Sequence, residues 1–335
     1  LLVVDDAHVI ESDGSGGCMS VDANLGLDGT VIEGAVTRAK QVAGELEEPI
    51  RVVLLAAPVA NGKNLADWMG TKLNFTFHPS VRPVPLNTII RPLHMEAHAA
   101  RMQALPARIF GDIAAHCAQG PVLVYACGVA ETESLARELM RLGESAKHVI
   151  LGARSRELAA AGVPAEEAEK LSCIIGKQCS TEQAAAHPTF LRVADEALVP
   201  HLEHVSEALA ELLVMGVGVL HAALSEAERR VVTHLYRSGA LQLLVADNAA
   251  CWWVGAQPAL RANMVVVADT QFWDSANAAY TDISVWNMSR MVGHALPPRS
   301  VLNAHLHAPG STLPVRGTAV VYTHAARASF YRKFL

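Results

Sequence analysis

Leu1-Leu2-Val3-Val4-Asp5-Asp6-Ala7-His8 opens the chain with four apolar residues, two carboxylates and a histidine. A short run that is apolar throughout reads as a strand buried on both faces, and the acids after it mark where that strand stops. Taken alone, the ending is equally an acidic turn. Segments 50–55, 122–125, 217–220, 241–245, 264–267 and 319–322 repeat the apolar pattern, and 84–90 reads as extended chain after the proline-dense stretch 79–85. Helical segments alternate with these strands at 29–45, 64–69, 96–119, 131–142 and 226–238. In the first of them Val31, Ile32, Ala35, Val36 and Ala39 share one face. Residues 155–215 are rich in Ala, Glu and Leu and read as mostly helical. Apolar strands alternating with helices predict an α/β protein with parallel sheets covered by helices. Segments 1–4 and 50–55 are expected in one sheet, and 122–125, 241–245 and 264–267 in another. The division between domains is expected near residue 92.

The chain has 335 residues, 51% hydrophobic and 18% charged, with a formal net charge of −6. That charge argues against broad nonspecific binding to nucleic acid, though not against a local basic groove. No apolar run reaches the roughly 18 residues of a membrane helix, and no leader pattern is visible. The chain starts within a strand and without Met, which reads as a fragment of something larger. Cys18, Cys117, Cys127, Cys173, Cys179 and Cys251 form no C-x-x-C pair and suit free thiols in a reducing compartment. His94-Met-Glu-Ala-His98 would put two imidazoles on one helix face, but a zinc site needs further ligands, and a solvated face is the plainer reading. His305 and His307 are no stronger.

The stretch Phe77-His78-Pro79-Ser80-Val81-Arg82-Pro83-Val84-Pro85-Leu86 resembles the segment R-P-V-P-L that follows motif III in superkiller-like DExH-box RNA helicases. Asp5-Asp6-Ala7-His8 is similar to motif II of that family. Gly216 to Arg230 is similar to its G-[VF]-x-x-H-x-G pattern. Asp269-Thr270-Gln271-Phe272-Trp273 resembles a D-T-Q-[YF]-[YF] strand end, and Arg290-Met291-Val292-Gly293-His294-Ala295 resembles motif VI. These matches follow one another in family order across nearly the whole chain. Their detail resembles the C-terminal cassette of the spliceosomal tandem-cassette branch.

The resemblance implies two RecA-like lobes of the P-loop NTPase/helicase type. Residues 1–92 would be the C-terminal part of a truncated first lobe with motifs II and III. Residues 93–335 would be the second lobe with motifs IV to VI and a helical insertion around 155–215. It implies that Asp5 holds the Mg²⁺ of ATP, that Asp6 and His8 complete a vestigial catalytic motif II, and that Asp5, Asp6, Gly255 and His294 border the nucleotide cleft. The phosphate-loop lysine would lie upstream of Leu1, so this stretch is not expected to cradle a triphosphate alone.

Several of these positions are altered. Asp6 stands where active relatives carry Glu, so its carboxylate falls short by roughly 1 Å, a displacement that can cost about 10²-fold. Ala56-Ala57-Pro58 replaces the hydroxyls of motif III. In motif V, Asp247 would repel a phosphate, and Trp253 stands where Gly allows close approach. His294 and Pro297 replace the two arginines of motif VI, whose fingers are worth on the order of 10³ to 10⁵ in rate.

The resemblance therefore implies a degenerate, noncatalytic cassette serving as a regulatory and protein-docking scaffold. Its partners would be an N-terminal helicase cassette of the same polypeptide and proteins of the spliceosomal tri-snRNP, in the nucleus. RNA contact would be weak or absent, and no membrane is involved. ATP and Mg²⁺ would bind, if at all, in the intact cassette and without turnover. The alternative is an active ATP-dependent RNA helicase of a related tandem-cassette family. A third reading, a metal hydrolase using Asp5, Asp6, His94 and His98, has the least support.

Overall fold

The computed structural model describes residues 1–5, 7, 10, 29–46, 50–56, 62–71, 73–78, 81–82, 84–116, 120–160, 190–193, 197–253, 260–274, 278–297 and 316–335. The side chains of 147–160 and 252–253 are outside that description. The chain divides into two compact units, Leu1–Pro85 with Gln271–Arg290, and Leu86–Thr270 with Met291–Leu335.

In the first unit β1 (Leu2–Val4) pairs in parallel with β2 (Val52–Leu54), with Leu2 opposite Val52. Helix α1 (Gly29–Glu45) follows β1, and α2 (Gly62–Met69) follows β2. The two helices are tied by Lys40, whose Nζ donates to the Trp68 carbonyl at 2.8 Å and lies 5.8 Å from the centre of its ring. The sequence predicts buried strands here, and the structure corrects that. Leu1 is 84% and Val3 53% exposed, and no residue of β2 is fully buried. The sheet formed by β1 and β2 has only two strands, so each is an edge strand with one side unpaired.

The second unit is built on a six-stranded, all-parallel sheet in the order β3-β10-β7-β4-β6-β5. Its strands are β3 (Leu86–Leu93), β4 (Val122–Ala126), β5 (Val217–Leu220), β6 (Leu243–Asp247), β7 (Met264–Val267) and β10 (Gly317–His324). Segments 122–125, 241–245 and 264–267 thus meet in one sheet, separate from β1 and β2, as their pattern predicts. Every residue of β4, β5, β6 and β7 is buried, in keeping with their predominantly apolar, Val- and Leu-rich sequences. β3 runs along β10 over eight pairs, from Leu86–Gly317 to Leu93–His324, so the division falls between Pro85 and Leu86 rather than at 92.

Helix α3 (His98–His116) and helix α4 (Val129–Ala160) pack on each other, α3 over β7 and α4 over β4, β5 and β6. The 155–215 region is described only at its ends, by the last turns of α4, by α5 (Val199–Leu202) and by α6 (Glu207–Val214). Helix α7 (Glu226–Ser238) links β5 to β6. A capping box between Ser225 and Glu228 starts it, and Gly239 at φ 81° ends it. The short helix α8 (Ala250–Trp253) follows β6. Between β7 and β10 come an antiparallel hairpin of β8 (Gln271–Asp274) and β9 (Ala279–Asp282), assigned to the first unit, and helix α9 (Val285–Gly293). Helix α10 (Ala328–Phe334) packs on β3. Among the described residues no helix is long and apolar enough to cross a membrane.

Candidate functional site at the C-terminal edge of the large sheet

In an open parallel sheet the strand C-termini point backbone and side chains at one common edge. Ligands gather where neighbouring strands send their connections in opposite directions. Here β4 leads to β5 on one side and β7 leads to β10 on the other, so the crevice lies between the ends of β4 and β7.

Asp269, just beyond β7, is fully buried. Its Oδ2 accepts from Arg101 Nε at 3.0 Å, and its Oδ1 from the Thr270 N–H at 2.7 Å. Arg101, 2% exposed, also donates through Nη1 to the carbonyls of Glu96 at 2.8 Å and Met95 at 3.3 Å. Burial raises the Asp269 pKa, and the adjacent guanidinium opposes that rise. His98 Nε2 stands 3.8 Å from Asp269 Oδ2. Burial lowers its pKa more than the carboxylate raises it. At the end of β4, Cys127 Sγ donates to the Asp269 carbonyl at 3.6 Å. Burial pushes its pKa well up, so the sulfur stays a thiol and is a poor nucleophile.

On the other side of β4, Asp247 closes β6. Its Oδ1 accepts from the Ala250 N–H at 2.8 Å and its Oδ2 from the Ala222 N–H at 3.3 Å. Burial raises its pKa, and these amides and the nearby His221 work against the rise. His221, at the end of β5, is 3% exposed, with Nε2 3.5 Å from Glu133 Oε1. The arrangement binds its own backbone amides with its own carboxylate, and the edge is acidic rather than cationic.

The residues singled out in the sequence fall in different places. Asp5 follows the last residue of β1, at the C-terminal end of that strand, and is exposed. Asp6, His8, Ala57, Pro58 and Gly255, with the side chain of Trp253, lie outside the described residues, as do His305 and His307. His294 is 7% exposed and within hydrogen-bond reach of β4, its Nδ1 2.5 Å from Tyr125 Oη. Its carbonyl accepts from the Ala262 N–H just before β7, and Ala295 bridges to Ala262. The backbone of His294 is thus beside the start of β7, whereas Asp247 and Asp269 stand at strand ends. His94 precedes the helix that begins at His98, so the two imidazoles do not share a helix face. Among the described residues no group of three His, Cys, Asp or Glu is placed to hold a metal ion.

Sequence reasoning missed Arg101 and the cavity beside it. A signal for Arg101 was present, since it precedes Leu105, Ile109 and Ile113 at successive intervals of four, on the buried stripe of α3.

The fold of the second unit is that of a RecA-like α/β lobe. No family model matches the chain. Over its full length it is 28% identical to the U5 small nuclear ribonucleoprotein 200 kDa helicase of Homo sapiens, and the match covers 13% of that protein. It is also 28% identical over its full length to the DExH-box ATP-dependent RNA helicase DExH12 of Arabidopsis thaliana, covering 12% of it. To the activating signal cointegrator 1 complex subunit 3 of Dictyostelium discoideum it is 26% identical, again across all of this chain and 12% of that protein. The chain is homologous to DExH-box RNA helicases, the U5 helicase among them, and spans about an eighth of the length of these relatives.

Proposed function

We propose that the chain is the C-terminal helicase cassette, in part, of a spliceosomal tandem-cassette RNA helicase, and that it acts in the nucleus without catalysing ATP turnover. Its work is to dock proteins, first the N-terminal cassette of the same polypeptide and then proteins of the tri-snRNP. The parent helicase separates paired small nuclear RNAs. The observation that carries the noncatalytic reading is the engagement of the altered motif positions inside the fold. Asp247 occupies two backbone amides, and His294 meets Tyr125. Neither presents the cation or free donor that phosphoryl transfer uses. In the intact cassette ATP and Mg²⁺ would serve as structural ligands without turnover, with Asp5 as the metal-side carboxylate.

The second reading, an active ATP-dependent RNA helicase of a related tandem family, draws on the similarity to the Arabidopsis helicase and to the signal cointegrator subunit. The test is RNA-stimulated ATP turnover by the polypeptide that carries this chain, with and without Asp5→Asn and Asp6→Asn. Equal rates are expected. A fall of tenfold or more would leave the active-helicase reading standing.

A further inference from the structure

Between α3 and α4, over the β4/β7 crevice, lies a cavity of 540 Å³. That volume is in the range that holds a small organic molecule. Ala126, Cys127 and Ala268 form its floor, and Leu105 and Leu135 its walls. All five are buried and apolar or, for the thiol, uncharged. The polar lining groups are Gln103, exposed on α3, and Glu131, Ser134, Glu138 and Arg141 along one face of α4.

The charges on that face do not cancel. Glu138 Oε2 accepts from Arg141 Nε at 3.1 Å and Nη2 at 2.9 Å, which neutralises it. Behind the floor, Asp269 is matched by Arg101. Glu131 forms no hydrogen bond or ion pair among the described residues. Its Oε2 lies 2.7 Å from where a Cβ on Gly128 would stand, so the carboxylate folds back against the start of α4 in space that only glycine leaves open. The mouth therefore carries one carboxylate with no cationic side chain bonded to it, held at the positive N-terminal end of α4 and close enough to His98 to raise its pKa, above an apolar floor. A nucleic-acid backbone would be repelled there.

We infer that this cavity is a binding site for a small organic cation with a compact apolar body, its charged head at Glu131 and its body between Leu105 and Leu135. This inference does not depend on the proposed function, since it concerns one face of one unit.

Three isosteric probes test it on the 335-residue chain by titration calorimetry: 4-phenylbutylammonium, 4-phenylbutan-1-ol and 4-phenylbutanoate. The cation is expected to bind about two- to fivefold more tightly than the alcohol, the effect of one half-exposed ion pair, and the anion more weakly than both. Glu131→Gln should remove the preference for the cation and leave the alcohol's affinity unchanged. Ala107→Trp, at an exposed position lining the cavity, should abolish binding of all three. If that variant does not fold, Ser134→Phe serves the same purpose from α4. The inference is overturned if no probe binds, if the anion binds as well as the cation, if the preference survives Glu131→Gln, or if the filled cavity still binds.

Discussion

Replacing Arg101 by methionine keeps most of the aliphatic stem and removes the charge that faces Asp269. The pair is buried on both sides, 2% and 0% exposed, with 3.0 Å between Nε and Oδ2. Breaking such a pair from one side leaves a carboxylate in an apolar interior and costs about 3–5 kcal/mol. Asp269→Asn should cost a similar amount by stranding the guanidinium. Removing both charges together should be far milder than the two losses added, because neither uncompensated charge remains. Native-state hydrogen exchange at the amides of β7, at the centre of the sheet, reads this free energy without requiring the whole chain to unfold as one.

The pH dependence of the Arg101→Met effect follows from the direction of the Asp269 shift. Its folded pKa is raised by burial, and Arg101 opposes the rise. Without Arg101 the folded value climbs further. The folded carboxyl then holds a proton that the unfolded chain has released, so stability falls as pH rises from the unfolded value, about 3.9, through the raised folded value, and is level above it. The cost of Arg101→Met should therefore be small near pH 4 and reach its full size toward neutrality, and adding Asp269→Asn should flatten that dependence. A cost under about 1 kcal/mol at pH 7, or one that shrinks with rising pH, would refute the buried-pair account.

Three further outcomes are expected. His294→Arg buries a guanidinium beside the Tyr125 hydroxyl. It should lower the urea unfolding free energy by about 1–3 kcal/mol and yield no ATP turnover, even with Pro297→Arg, and a gain in either measurement would count against the packing described. Asp247→Ala removes the acceptor of the Ala222 and Ala250 amides and should cost about 1–3 kcal/mol, with faster exchange at the Ala250 amide as the local readout. Gly216 and Gly239 have nearly the same backbone, φ 80° and 81°, but a Cβ on Gly216 would stand 2.0 Å from the Leu191 nitrogen, while one on Gly239 meets nothing within 4 Å. Gly239→Ala should cost about 1 kcal/mol, whereas Gly216→Ala should cost more than about 3 kcal/mol or prevent recovery of folded protein.

The strands of the large sheet were legible because burial on both faces forces an unbroken apolar run, and α1 because its apolar face repeats at helical spacing. The misreadings have physical causes. Helix α4 runs on from residue 142 to Ala160, past Gly143, which usually weakens a helix. Here a Cβ at Gly143 would come 2.6 Å from the Phe190 ring, so the glycine makes room for a contact distant in sequence. The extended segment read as ending at residue 90 runs on through Pro92 to Leu93, because β3 is an edge strand, where a missing N–H is tolerated. Asp269 to Trp273 reads as a strand end, but the hairpin β8–β9 is not legible, because its mostly unburied strands Gln271–Asp274 and Ala279–Asp282 mix polar and apolar residues and show no apolar run. At the site, Asp247 and His294 stood out as departures from a pattern, but their partners could not be read. Two of those partners are backbone amides and the third is a tyrosine 169 positions away.

Those partners bear on what the departures mean. A side chain that merely ceased to meet a ligand could drift to any small or solvated residue without loss to the fold. Asp247 and His294 are instead internal. The aspartate satisfies two amides at the ends of β5 and β6, and the histidine joins the chain beside β7 to a tyrosine in β4. Each is buried, so each would cost stability if replaced without its partner. Reverting one to the residue of an active relative would therefore first have to overcome a loss of packing. A fold that uses these positions for cohesion holds its surface in place, which is what the proposed docking role would require.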